Sequence, residues 1–305
     1  MAKYITKRVI MAIITILVVA TLTFFLMNAV PGGPYEAEKA ISPQAKAALE
    51  AKFGLDKPLF EQYLTYMKNI FKGDFGPSLK QRGREVIDII LDKFPVSASI
   101  GGISVLVALV VGVPVGCFTA FKRGKFSDKL IMVLATIGIA VPSFVVCTVT
   151  MYFFTNKWNI LPSIGDMTWQ RYVLPVFALA FYPTAYIARL MRSSMLDVLG
   201  QDYMRTAKAK GLSQTVSLFK HALRNAILPV VTYVGPMMAY TLTGSFVVEK
   251  IFTIPGLGRE FVSSITNRDY MMIMGTTIFL ATLMVVMNVV VDIVYKIIDP
   301  RIQLK

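Results

Sequence analysis

The polar residues with the most specific arrangement lie in one basic segment, 192–225. Its core reads Gln201-Asp-Tyr-Met-Arg-Thr-Ala-Lys-Ala-Lys-Gly211-Leu. Asp202 opens this stretch in a capping position, and Lys208 and Lys210 lie near its end. That order of charge suits a helix dipole, and Gly211 is a natural stop. A helix of about ten residues is too short to be stable alone in water, so it must dock on something. Ala207 and Gly211 are small and four apart, which gives a face that permits close backbone approach. Met204 flanks this stripe, with Arg205 and Lys208 beside it. The chemistry on offer is non-covalent. Either a partner protein receives the helix, or the helix lies on a membrane with its lysines on headgroups.

Other reactive groups are sparse. Asp292 is the one carboxylate near the end of an otherwise apolar run. Such carboxylates are functional candidates, but Lys296 stands at i+4, the favoured orientation for a helix ion pair. Interfacial pairing is the reading adopted; a contact with a neighbouring subunit and an ion-carrying role are the alternatives. Cys117 and Cys147 both fall inside apolar runs and read as packing residues. The chain has a single histidine, His221, and nothing resembling a metal site. There is no Gly-x-x-x-x-Gly-Lys-[Ser/Thr] phosphate loop, no His-Glu-x-x-His and no Gly-x-Ser-x-Gly. The expectation is a non-enzyme that hydrolyses no ATP itself and binds no metal or cofactor.

The elements that must position these residues are membrane helices. Of 305 residues, 55% are hydrophobic and only 16% charged, against about 25% charged in a soluble domain. Mean hydropathy is +0.60. Six stretches carry no charge: 9–30, 96–121, 130–154, 172–188, 226–248 and 270–291. Each approaches or exceeds the ~20 residues that a bilayer core requires, and lipid leaves the backbone only helical partners. The first run is too long for a signal-peptide core and reads as a retained helix.

Net charge is +14, but its distribution speaks for topology. With the N-terminus inside, the inner segments hold 17 basic residues and the two short outer loops five. The first outer loop, 31–95, is close to neutral, with ten basic and nine acidic residues. This is the positive-inside pattern, so both termini are expected to be cytoplasmic and nucleic-acid binding is not.

The first outer loop has structure of its own. Ser42-Pro43 signals a helix over 42–52. The run 59–71 has one aromatic-rich apolar face, suited to the outer membrane surface. Gly73-Asp-Phe-Gly76-Pro77 is a turn cluster, and 84–94 is amphipathic again. Pro114, Pro142, Pro183 and Pro236 are expected to interrupt four spans. Gly112-x-x-x-Gly116 permits close helix packing. Broken spans favour a protein that moves, a transporter or channel.

The stretch from Arg205 to Pro229 resembles the EAA motif of membrane subunits of ATP-binding cassette (ABC) importers. Ala207 and Gly211 match its second Ala and its Gly, and Leu228-Pro229 match its Leu-Pro. Arg205 stands at the Glu position, Thr206 at the first Ala, and the Gly-to-Pro gap is longer; these departures resemble the peptide and nickel branch. Further likenesses are Gly73-Asp-Phe-Gly-Pro-Ser78, Phe94-Pro-Val-Ser97 and Val141-Pro-Ser-Phe144. Gly244-Ser-x-Val-Val-Glu249, Ile254-Pro-Gly-Leu-Gly258, Asn267-Arg-Asp-Tyr270 and Asp292-x-x-Tyr295-x-x-x-Asp299-Pro-Arg301 continue the series. The resemblance spans the whole chain and is nearest to the oligopeptide permease subunit that pairs with a second, homologous permease.

The resemblance implies an all-α polytopic fold of the type I ABC importer permease, with six transmembrane helices and a small extracytoplasmic helical insertion between the first two. Residues 1–30 form the N-terminus and first span, 31–95 the cap, 96–298 the permease core with a coupling loop at 200–225, and 299–305 the tail. It implies a partner permease, two cytoplasmic ATPases that bind ATP and Mg, and an extracytoplasmic peptide-binding protein. Asp202, Arg205, Thr206, Ala207, Lys208, Gly211 and Leu212 are then the ATPase-coupling residues. Pro229, Glu249, Pro255, Gly256, Gly258, Asp292 and Asp299 are structural or interface residues. Oligopeptide import is the reading, with dipeptide or nickel import and, more distantly, a secondary transporter or channel as alternatives. Ser143, Tyr233, Tyr240, Thr241, Thr243 and Asn288 are polar or aromatic span residues able to line a pathway.

Overall fold

The computed structural model describes residues 2–31, 44, 51, 54–162, 168–213, 216–242 and 246–298, with side chains at 2–5, 208, 219–221, 239, 242 and 291–298 left undescribed. The described residues are helical apart from turns and one isolated antiparallel bridge, Pro77 to Glu85. The helices are α1 (Ala2–Ala29), α2 (Leu59–Ile70), α3 (Val86–Phe121), α4 (Phe126–Ala140), α5 (Ser143–Thr150), α6 (Gln170–Leu199), α7 (Asp202–Ala209), α8 (Leu223–Ala226), α9 (Leu228–Leu242), α10 (Phe246–Ile251), α11 (Leu257–Asn267) and α12 (Tyr270–Ile298). Wider π turns follow α5 (Met151–Lys157) and precede α8 (Ser217–Ala222).

Among the described residues, four helical segments are long and apolar enough to cross a membrane: Thr6–Ala29, Val86–Phe121, Gln170–Leu199 and Tyr270–Val290. A fifth candidate is the pair Phe126–Ala140 and Ser143–Lys157, bent by 102°. Within the stretch 226–248 the described residues hold α9, of 15 residues, and 243–245 lie outside the described residues. Apolar side chains such as Met11, Leu22 and Leu26 on α1 are exposed, as suits a lipid-facing surface where burial in protein brings no gain over burial in lipid.

The prolines correct the sequence expectation. Pro142 alone of the four breaks its span; Pro114, Pro183 and Pro236 lie inside continuous helices. At the break Val141 is extended at ψ 122° and Pro142 at ψ 144°. The residue before a proline is disfavoured in the helical region, and here that preference prevails. At the other three, surrounding helices hold the turn. The break also ends one hydrogen-bond ladder and starts another, Val141 N–H donating to Ile137 O and Val145 N–H to Pro142 O.

The chain forms two compact units, Met1–Val96 with Pro255–Val285, and Ser97–Ile254 with Val286–Lys305. In the first, Tyr66 of α2 stacks on Phe24 of α1 at 5.5 Å, and the Thr21 and Tyr63 hydroxyls are 2.9 Å apart. The aromatic face of α2 is thus spent on α1, while Leu59, Phe60, Leu64 and Phe71 remain exposed. Two motifs distant in sequence meet here. Buried Asp269 accepts hydrogen bonds from Ser78 Oγ, from Leu79 N at 3.1 Å and from Met272 N at 3.2 Å. It both caps α12 and anchors the turn after Gly76, whose φ is +77°. The helix expected over 42–52 lies outside the described residues, except at positions 44 and 51.

The second unit is built on α6. A Cβ at Gly112 would meet Ile187 at 2.9 Å, and one at Gly116 would meet Ala188 O at 2.6 Å. The Gly-x-x-x-Gly face of α3 is therefore the contact with α6, as its spacing predicts. Cys147 is fully buried and Cys117 partly so. A core of Ile187, Met191, Met195, Met204, Ala222, Ala226 and Val230 fills the space toward α7–α9.

Candidate functional site

The helix expected from Asp202 toward Gly211 forms, and its ends explain why. α7 begins at Asp202 and ends at Ala209. Lys210 N–H donates to Thr206 O at 3.0 Å and Leu212 N–H to Ala207 O at 3.3 Å. That second bond closes the C-terminus across Gly211, which sits at φ +77° in the left-handed region. Among the described residues nothing lies within 4 Å of a Cβ built on Gly211. Its glycine is thus required here by backbone conformation.

The faces of α7 are assigned differently from the sequence reading. Met204 and Ala207 are buried, 1% and 7% exposed. Ala207 therefore faces its own chain, and the small stripe is not one continuous outward surface. Tyr203 is held by Asn225, whose Nδ2 donates to the tyrosine hydroxyl at 2.9 Å. Arg205, Thr206, Lys210, Gly211 and Leu212 are exposed. The Arg205–Asp202 pair spans 3.6 Å with both side chains in solvent, 79% and 97% exposed, so it contributes little to stability. The Lys208 side chain lies outside the described residues.

A second feature lies at the broken helix. A cavity of about 450 Å³ is lined by Val141, Pro142 and Ser143 at the break and by Tyr182, Tyr233 and Tyr240. Tyr186 packs on Tyr233 at 4.4 Å and on Tyr182 at 6.1 Å, making an aromatic wall. Helix ends leave backbone groups without intrahelical partners, so the break supplies polar main chain to a largely apolar wall. Of the pathway candidates, Ser143, Tyr233 and Tyr240 line this cavity. Thr241 does not, being 1% exposed and donating to Met237 O. Asn288 is part-buried on α12 outside the lining, and Thr243 lies outside the described residues. Tyr182 and Tyr186 escaped the sequence reading, although their i, i+4 spacing on an apolar helix was a usable signal.

Between these features lies a charged pair that the sequence did not reveal. Arg192 Nε donates to Asp128 Oδ1 at 2.6 Å and Nη2 to Oδ2 at 2.8 Å. Gly124 N–H adds a third bond to Asp128 at 2.9 Å. The Asp128 side chain is 3% exposed. It precedes the uncharged stretch that begins at Leu130. A carboxylate in a first helical turn reads simply as a complement to the dipole, which is why Asp128 went unmarked.

The remaining motif residues are dispersed. Pro229 lies in the first turn of α9, where its missing N–H costs nothing. Glu249 is buried on α10. In the other unit Gly256 is the extended N-cap of α11, beside Pro255, and Gly258 is buried. Asp292 is on α12 with its side chain undescribed, and Asp299 is outside the described residues. Among the described residues no cluster of His, Cys, Asp and Glu could hold a metal ion.

Comparison with known proteins supplies the family. Residues 112–304 match the family model of the binding-protein-dependent transport system inner membrane component, and residues 1–101 match the model of its N-terminal region. The dipeptide transport system permease protein of Bacillus subtilis is 46% identical over 304 residues, covering 100% of this chain and 99% of that protein. The oligopeptide transport system permease protein of Haemophilus influenzae is 42% identical, covering 99% of this chain and 100% of that protein. A chain of the inward-facing MetNI methionine ABC transporter aligns with a TM-score of 0.56 at 15% identity, covering 70% of this chain and 97% of that chain, and supports the fold alone. The chain belongs to the family of binding-protein-dependent transport system inner membrane components, the permease subunits of ABC importers.

Proposed function

We propose that this chain is a transmembrane subunit of an ATP-driven importer that takes up peptides handed over by an extracytoplasmic binding protein. The observation that carries the reading is α7: one face is rooted in the chain's own core through Met204 and Ala207, while Arg205, Thr206 and Leu212 are exposed. A short helix fixed to the protein on one side and exposed on the other suits transmission of movement from a docked ATPase. ATP is then bound and hydrolysed in two separate cytoplasmic subunits, and a second, homologous permease completes the membrane part. Alternating access follows as a rigid-body change about packed interfaces.

The chain sits in the cell membrane with six spans, the stretch 226–248 being the fifth. Both termini are cytoplasmic, in keeping with 17 basic residues inside against five in the short outer loops. Exposed Tyr152, Trp158 and Trp169 flank the loop after the bent pair, as aromatic residues do at a membrane interface. Residues 31–95 form the external insertion, 96–298 the permease core and 299–305 the tail. The cavity beside Pro142 contributes to the passage, its main-chain groups and tyrosines suiting cargo of varied side chains.

Oligopeptides are the preferred cargo, on the Gly-Pro-Ser sequence at 76–78. Dipeptides are the second reading, favoured by the 46% identity to a dipeptide permease. The assembly purified through a tag on this chain and reconstituted in vesicles decides the matter. Uptake of labelled peptide is expected to require the binding protein and internal ATP, and to be blocked better by pentapeptides than by dipeptides. Uptake driven by a proton gradient without ATP, or a chain that purifies without ATPases even after cross-linking, would sink the importer reading.

A further inference from the structure

We propose that the Asp128–Arg192 pair is the contact through which movement of the docking segment reaches the broken helix. The inference rests on the reading of 202–212 as the ATPase-docking segment. Arg192 stands on α6 seven residues before its end at Leu199, and α7 starts three residues beyond that end, at Asp202. Asp128 stands in the first turn of α4. From there α4 runs about 18 Å, at 1.5 Å per residue, to Ala140 and the break that lines the cavity. The pair therefore lies on the covalent and packed route between docking segment and cavity.

Its geometry is that of a rigid joint. Two parallel hydrogen bonds of 2.6 and 2.8 Å fix the orientation of guanidinium and carboxylate together, which a single-point contact cannot do. The carboxylate is nearly inaccessible, and the Gly124 N–H ties the preceding turn to it. Two further contacts continue the joint along the same helices. Arg189 donates to Thr136 Oγ1, and a Cβ on Gly138 would lie 2.9 Å from Ala185 Cβ. With 128 beside 192, 136 beside 189 and 138 beside 185, α4 and α6 move as one body. A shift of α7 that turns α6 then moves residues 139–143. Arg192 and Asp128 act as positioning residues and touch no cargo.

The test compares native protein with Arg192→Lys, Asp128→Asn and the exchanged pair Asp128→Arg with Arg192→Asp, each in the complete reconstituted importer. Three quantities are read: yield of ATPase-bearing complex, ATP turnover, and peptide imported per ATP, using a labelled peptide that the native assembly carries. Arg192→Lys keeps the charge and loses the fork. It should assemble and hydrolyse ATP within about twofold of native while import per ATP falls about tenfold. Asp128→Asn should act in the same direction, and the exchanged pair should recover part of the ratio. The proposal is overturned if import per ATP stays native in an assembled single variant. It is equally overturned if both single variants fail to assemble, or if ATP turnover and import fall together, since the pair is then a clamp of the fold only. Arg205→Cys in otherwise native protein separates the two failures. Cross-linking of this cysteine to the ATPase with an unchanged import ratio in Arg192→Lys refutes the joint alone, whereas absence of cross-linking refutes the docking reading beneath it.

Discussion

Gly211 illustrates how a residue's type can be explained in two ways that differ in outcome. Its spacing from Ala207 suggests a surface kept small for a partner, whereas its φ of +77° asks for glycine whatever is nearby. The space around it is open, so within the chain conformation is the operative demand, at about 1–2 kcal/mol for a residue with a side chain. Asn tolerates the left-handed region better than other side chains. Gly211→Asn is therefore expected to keep most ATP-driven uptake, and Gly211→Ala and Gly211→Leu to lose similar, larger fractions. If Asn is as damaging as Leu and Ala is harmless, close approach by the partner governs instead. Asp269 makes the same point for polar residues. Alone it is an acid after an arginine; folded, it accepts from Ser78, Leu79 and Met272 and closes two motifs onto each other.

Helices in this chain are paired by glycines at specific depths. Gly116 leaves a Cβ only 2.6 Å from both Ala188 O and Met191 Cβ, a backbone atom and a β-carbon bonded directly to the backbone, neither of which can swing aside. Gly116→Ala should therefore destabilise the protein by about 1–3 kcal/mol through overpacking. Gly102, on the same helix, has nothing within 4 Å of its Cβ. Gly102→Ala should be neutral or stabilising by up to about 1 kcal/mol, from helix propensity. Thermal midpoints of the purified assembly would rank the two, and equal effects would refute the packing assigned to α3 and α6. The prolines complete the contrast. Four read alike in sequence, yet only Pro142 separates two helices at a 102° bend. A proline always removes a donor; whether the helix continues depends on neighbours that satisfy or crowd the freed groups.

At the scale of the molecule the orientation is open to direct measurement. The charge bias predicts Lys125 inside and Lys157 outside. With Cys117 and Cys147 replaced, Lys157→Cys should react with an impermeant maleimide in intact cells, and Lys125→Cys only after permeabilisation. The reverse pattern would invert the topology and place α7 on the wrong side for an ATPase.

Charge-free runs, the basic bias and the order of motifs are one-dimensional quantities, and they sufficed for the all-helical class, the membrane setting and the family. The short helix α7 was legible for the same reason: its cap, charge order and Gly211 are local. What tertiary structure alone decided are relations between residues far apart in the chain. It turned Ala207 inward, joined Asp128 to Arg192 across 64 positions, brought Ser78 to Asp269, and set Tyr182 and Tyr186 against Tyr233 beside the one proline that breaks its helix. None of these follows from periodicity. A helical pattern states which residues share a face, and only packing determines what that face meets.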